Sequence, residues 1–138
     1  MKTFNTAGPI RPDEHYHIPP LERWDMDEIR RLIREKRDFI LHVPRQTGKT
    51  SCLLALMERL NAEADYTALY VNMELETVQA ARGDVVAGMR TIASGIAEDA
   101  RRYLGNRRPR EWVRDALRES GPHGALRRLL SRWSEEND

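Results

Sequence analysis

The sequence predicts an α/β fold in which two parallel strands with flanking helices lead into a helical C-terminal half. Two apolar runs, FILHV (39–43) and TALYVNM (67–73), are short and have the β-branched or aromatic content of buried parallel strands. Between them, leucines recur at helical spacing from Leu53 to Leu60. The order strand, helix, strand is that of a right-handed βαβ unit, whose sheet has to be covered on both faces.

Proline and glycine signals divide the chain into three parts of one incomplete domain. Residues 1–24 contain several prolines and no apolar period, and we expect an irregular arm there. Residues 25–74 hold a first helix and the βαβ unit, and residues 75–138 are expected to be a helical segment. A chain of 138 residues is long enough for one core of its own.

Local signals place the helix ends. Asp25 is a candidate N-cap, and Glu28 three residues later completes a capping-box pattern. Asp84 is expected to cap a long helix that ends near Gly105. Two shorter helices should follow, separated by the Gly-Pro pair that starts at Gly121.

The overall composition limits the classes of protein and compartment. With 23 basic and 22 acidic side chains, net charge favours no particular partner. The single cysteine, Cys52, cannot form an internal disulfide and is expected to be a small core residue. No apolar run approaches the roughly 20 residues that cross a bilayer. The sequence therefore predicts a cytoplasmic protein that is not embedded in a membrane.

The segment HVPRQTGKTS (42–51) carries most of a phosphate-binding loop, the Walker A motif G-x-x-x-x-G-K-[ST]. Gly48, Lys49 and Thr50 fill its last three positions, whereas Val43 stands in place of the first glycine. A residue before proline favours an extended backbone, so Val43 is expected to end the first strand and the loop to bend after it. On this interpretation nucleotide binding survives the substitution.

The motif assigns a role to each side of the predicted site. Backbone N–H groups of residues 46–49 would surround the β-phosphate, and Lys49 would neutralise the β and γ oxygens. The Thr50 hydroxyl would ligate Mg²⁺, and Ser51 could donate to the α-phosphate. ATP and Mg²⁺ are the predicted ligands. The predicted nucleotide-binding residues are Pro44, Arg45, Gln46, Thr47, Gly48, Lys49, Thr50 and Ser51.

No catalytic residue is predicted. Hydrolysis requires an acidic group that holds Mg²⁺ at the end of a second apolar strand, and no such pattern is present. The nearest candidates, Asn72 and Glu74, are interpreted as the polar end of the second predicted strand.

The stretch from FILHVPRQTGKTSCLLALMERLNAE to YTALYVNMELETVQAARGDV resembles the N-terminal part of bacterial AAA-like ATP-binding proteins, relatives of the signal-transduction ATPases with numerous domains. The resemblance implies a P-loop NTPase fold in which small non-glycine residues are tolerated at the position of Val43. It also implies that a later strand ending in Asp-Glu, the Walker B carboxylates, lies beyond this chain. We therefore expect an ATP-binding segment that depends on a missing C-terminal half or on another protein.

Two alternatives remain open. The many arginines of the C-terminal half could form a nucleic-acid-binding module, although acidic residues are interleaved with them. Alternatively, helices carrying Trp112 and Trp133 could dock on a partner protein while the loop is vestigial. Binding of ATP, and salt-dependent binding of DNA, would distinguish these possibilities.

Overall fold

A computed structural model describes residues 1–4, 11, 13–44, 47–73 and 82–137 of the chain. Regular structure in these ranges is helical, and none of the described residues belongs to a β-strand. Among the described residues before Pro20 there is an isolated parallel bridge between Thr3 and His15. The helices are a 3-10 turn Pro20–Arg23, α1 (Met26–Arg34), α2 (Lys49–Ala62), α3 (Val85–Leu104) and α4 (Arg108–Glu136).

The predicted α/β fold with parallel strands 39–43 and 67–73 is wrong for the residues that the structure describes. Both runs are irregular, and neither has a paired strand beside it. A strand exists through hydrogen bonds to a neighbouring strand, and a short apolar run cannot supply that neighbour by itself. The first run is partly open to solvent, and its second residue, Ile40, is 92% exposed.

Helix side chains satisfy backbone groups of the second run. The Asn61 side-chain amide accepts from the Ala68 N–H at 2.7 Å and donates to the Ala68 carbonyl at 2.9 Å. Two residues on, the Tyr70 N–H lies 3.2 Å from the Met57 sulfur. This segment therefore lies beside the end of α2. Side chains of α2 contact its backbone polar groups, which in a sheet would be paired with the backbone of a neighbouring strand.

The start of α1 confirms half of the predicted capping box. An Asp25 carboxylate oxygen accepts a hydrogen bond from the Glu28 N–H at 3.1 Å, as expected for an N-cap. The Glu28 carboxylate pairs with Arg31 at 2.6 Å, one turn further along the helix. The Asp25 cap and the first helix are therefore confirmed. The Glu28 carboxylate, which a full capping box would direct back to the Asp25 N–H, pairs with Arg31 instead.

The predicted ends of the later helices are also confirmed. Asp84 caps α3 by accepting from the Val86 N–H at 2.8 Å. Gly105 ends this helix in the left-handed region at φ 65°, a conformation that costs glycine little. Within α4, Gly121 interrupts the helical backbone at φ 64°, where the sequence predicted a break.

The described chain divides into two compact units, Met1–Leu56 and Met57–Asp138. In the first unit Ile29 and Cys52 are buried, and the Cys52 thiol donates to the Pro20 carbonyl at 3.2 Å. In the second unit α3 packs on α4 around a shared apolar cluster. The buried members of this cluster are Ala93, Ile96, Ala97, Trp112, Val113 and Leu129.

Leu69 and Val71 of the second run pack partly buried against that helical cluster. Their apolar character is thus accounted for by helix packing, without a sheet. None of the helices in the described part of the chain is long and apolar enough to cross a membrane.

Candidate phosphate-binding site

The predicted loop lies in the first unit and leads directly into α2. Lys49, Thr50 and Ser51 form the first turn of this helix, and all three are exposed. Pro44 and Gly48 are exposed as well, whereas Thr47 is partly buried. The structure therefore places the Gly-Lys-Thr core of the motif at a helix N-terminus that solvent can reach. Two predicted residues, Arg45 and Gln46, lie outside the described residues.

Gly48 makes the turn from loop to helix. Its φ of +77° lies in the left-handed region, where a side chain is strained. Its carbonyl accepts a hydrogen bond from the Cys52 N–H at 3.0 Å, the first bond of the helical ladder. Glycine is thus required here by backbone geometry, in addition to the close approach that the motif implies.

The first turn of α2 carries backbone N–H groups that the helix itself does not pair. Because the helical ladder starts with the Cys52 N–H, the N–H groups of Lys49, Thr50 and Ser51 have no acceptor within the helix. These groups form the positive end of the helix dipole, which favours an anion. The Lys49 ammonium adds a full positive charge at the same end of the helix.

Arg23 is a site residue that the sequence did not reveal. Its Nη2 donates to the Thr47 carbonyl at 2.5 Å, which links the 3-10 turn to the loop. Its Nη1 lies 3.2 Å from the point where a Cβ on Gly48 would stand. In the described part of the chain no carboxylate forms an ion pair with Arg23, so its charge is available beside the loop. The motif spacing contains no signal for this contact.

Within the loop itself, the Thr47 hydroxyl donates to the Pro44 carbonyl at 2.8 Å. This bond joins the two described residues on either side of positions 45 and 46. Val43, expected to end a strand, is partly buried but belongs to no strand, so that expectation is wrong. The segment that precedes the loop is therefore irregular.

A magnesium ion at this site would have few protein ligands. The described residues contain no cluster of three acidic, histidine or cysteine side chains that could hold a metal. The exposed Thr50 hydroxyl is the one predicted ligand, which suits Mg²⁺ bound mainly through phosphate oxygens and water. The donor set at this end of α2 is consistent with a metal that arrives with its nucleotide.

Comparison of the chain with protein-family models, with curated proteins and with solved structures finds no match. The likeness to AAA-like ATP-binding proteins therefore rests on the quoted residues alone. The described geometry is a loop that turns into a helix at Gly48, with a lysine and an arginine at the helix N-terminus, an arrangement that favours an anion.

Proposed function

We propose that the chain binds the phosphate groups of ATP, together with Mg²⁺, at the N-terminus of α2. The observation that carries the proposal is the backbone of Gly48, which at φ +77° turns the loop directly into the helix. This turn brings the N–H groups of the first helical turn and the Lys49 side chain to one exposed end.

The proposed contacts follow from the donors that are present. The N–H groups of Lys49, Thr50 and Ser51 donate to phosphate oxygens, and the Lys49 ammonium offsets their charge. Arg23 adds a second cation, held at the loop by its bond to Thr47. The Thr50 hydroxyl ligates Mg²⁺. We propose binding and assign no hydrolytic role, because the sequence contains no apolar strand pattern ending in an acidic residue that would make the second metal contact.

Titration of a fluorescent ATP analogue with Mg²⁺ tests this proposal. Replacing Lys49 by alanine removes a charge-assisted hydrogen bond, which is worth about 1.5–3 kcal/mol, and should weaken binding about tenfold or more. The matched control is Lys36→Ala, which removes the same charge from an exposed position just after α1. Circular dichroism establishes that each variant keeps its helices.

The control should bind the analogue as tightly as the unmodified chain. Equal affinities for the Lys49 and Lys36 variants, both folded, would overturn the proposal. The metal contact is tested separately with Thr50→Val, which removes the hydroxyl at nearly constant volume. This variant should lose the part of the affinity that Mg²⁺ adds and keep the part measured in the presence of a chelator. An unchanged magnesium effect would exclude Thr50 as a ligand.

A further inference from the structure

A second anion site is suggested by a cleft in the Met57–Asp138 unit. The end of α3 and the start of α4 enclose about 340 Å³, lined by Ala97, Glu98, Arg101, Arg107 and Arg110. This volume is near the lower end of the roughly 300–1,000 Å³ typical of small-molecule sites. The cleft contains none of the residues of the Lys49 loop, so it is a separate feature of the molecule.

The charges that line the cleft are unbalanced. Glu98 is its one acidic residue, and its carboxylate pairs with Arg101 at 2.5 Å. Arg101 is the main reason that the pKa of Glu98 is lowered, with a smaller contribution from the charge of Arg110. Arg107 forms no ion pair with any residue that the structure describes. Three guanidinium groups therefore face one carboxylate, an excess of two positive charges.

The turn between α3 and α4 brings these arginines together. Gly105 ends α3 with its N–H bonded to the Arg101 carbonyl at 3.1 Å, and the chain reverses within three residues. The Asn106 side chain then accepts from the Arg108 N–H at 3.0 Å, which supports the start of α4. These backbone contacts thus define the two helix ends that carry the arginines.

Packing holds the two helices together despite this concentration of charge. Ala97 on α3 and Trp112 and Val113 on α4 are buried in the same apolar cluster. Like charges that are brought close without neutralisation repel each other, and a bound anion relieves that repulsion. The cleft is therefore already arranged for an anion before one binds.

We propose that this arginine cleft, defined by Glu98, Arg101, Arg107 and Arg110, binds a phosphate group of a phosphorylated ligand. Guanidinium groups match phosphate oxygens with paired hydrogen bonds. A phosphate monoester carries about −1.5 to −2 charges at neutral pH, which matches the excess of the cleft better than a single carboxylate does. The same chemistry could be supplied by a free phosphate compound or by a nucleic-acid backbone.

Calorimetric titration with inorganic phosphate and pyrophosphate tests the site in the full chain. All measurements use the Lys49→Ala background, which reduces the contribution of phosphate bound at the loop. The test variant is Arg107→Ala with Arg110→Ala. Its matched control, Arg114→Ala with Arg118→Ala, removes the same two charges from exposed positions further along α4. Circular dichroism confirms that both double variants remain helical.

The test variant should lose phosphate or pyrophosphate affinity about tenfold or more, since it removes two charged hydrogen-bond donors from the cleft. The control should lose much less. Glu98→Gln removes the one carboxylate of the cleft and should tighten binding. Equal losses in the two double variants, or no detectable binding in the Lys49→Ala background, would overturn the proposal.

A short single-stranded oligonucleotide distinguishes the two sources of phosphate. If the ligand is a small phosphate compound, both double variants should weaken oligonucleotide binding equally or not at all. If the source is a nucleic-acid backbone, the oligonucleotide should bind more tightly than pyrophosphate and lose most affinity in the Arg107/Arg110 variant, with a strong dependence on salt. Loss of oligonucleotide binding only in the Arg114/Arg118 variant would count against the cleft. None of these outcomes bears on the separate proposal that the Lys49 loop binds ATP.

Discussion

The guanidinium of Arg23 donates to the backbone carbonyl of Thr47 at 2.5 Å, across 24 positions of sequence. The same guanidinium lies 3.2 Å from where a side chain on Gly48 would begin. Arg23 thus donates a hydrogen bond to the loop and also occupies the space beside Gly48. The conformation of the loop is therefore linked to the 3-10 turn that precedes α1.

Replacing Gly48 by alanine should destabilise the protein and weaken ATP binding. The left-handed backbone costs an L-residue about 1–2 kcal/mol, and the new methyl group would also displace Arg23. Gly105→Ala is the matched control, because its φ of +65° carries a similar strain while no other atom lies within 4 Å of the added carbon. Urea unfolding and titration of the fluorescent ATP analogue measure the two effects.

Both glycine variants should lose unfolding free energy, Gly48→Ala by more because it also crowds Arg23, and only Gly48→Ala should lose ATP affinity. Adding Arg23→Ala to Gly48→Ala should recover the part of the stability loss caused by crowding. An ATP affinity unchanged in Gly48→Ala would contradict the placement of phosphate at this turn.

Asn61→Ala should release the segment that follows α2. The amide of Asn61 makes two hydrogen bonds to Ala68, and its loss leaves a partly buried N–H and carbonyl unpaired. We expect the unfolding free energy to fall by about 1–3 kcal/mol and exchange of the Ala68 amide hydrogen to become faster. Denaturant unfolding and hydrogen exchange by NMR provide the two measurements.

The control for this variant is Asn137→Ala. Asn137 is exposed, and its side chain donates one hydrogen bond to the Trp133 carbonyl at 2.7 Å. Its removal should cost less than about 0.5 kcal/mol, as for most surface positions. Similar losses in the two variants would show that the Asn61 contact does not hold the segment.

Two adjacent leucines of α4 should respond very differently to truncation. Leu129 is 0% exposed and belongs to the α3–α4 cluster, whereas Leu130 is 52% exposed. Leu129→Ala should lower the unfolding free energy by about 2–5 kcal/mol, because it removes buried methyl groups and leaves a cavity. Leu130→Ala should change it by less than about 0.5 kcal/mol. Comparable losses on thermal or urea unfolding would be inconsistent with this packing of α3 and α4.

The helices could be predicted from sequence because their ends depend on nearby residues. The Asp25 and Asp84 caps and the left-handed Gly105 each act within a few positions of the chain. The two strands were predicted wrongly, because a strand depends on pairing with a distant segment that a local apolar run does not specify. The apolar residues Leu69 and Val71 reach a helical cluster, which buries them as a sheet would have done.

The candidate site was likewise predictable only in part. The motif located Gly48 and Lys49 at the start of a helix, because a glycine before a run of helix formers is a local signal. The position of Arg23 beside the loop, and the cleft around Arg107, arise from contacts between separate elements. No local sequence pattern predicts such contacts. Arg45 and Gln46, which were also predicted to bind nucleotide, lie outside the described residues.

The ion pair of Glu98 with Arg101 should make stability depend on pH in the acid range. Its hydrogen bonds to Arg101 lower the pKa of Glu98 below the ordinary value of 4.5. A carboxylate with a lowered pKa stabilises the folded state fully above its unfolded pKa, and this contribution is lost as pH falls through the folded pKa. The difference in unfolding free energy between the unmodified chain and Glu98→Gln should therefore be constant from pH 7 to about pH 5 and shrink below it. The matched control is Glu58→Gln, which removes an exposed carboxylate that forms no ion pair with any described residue. If the Glu98→Gln difference instead grew as the pH fell, the carboxylate would be stabilised in its protonated form and the pairing with Arg101 would be wrong.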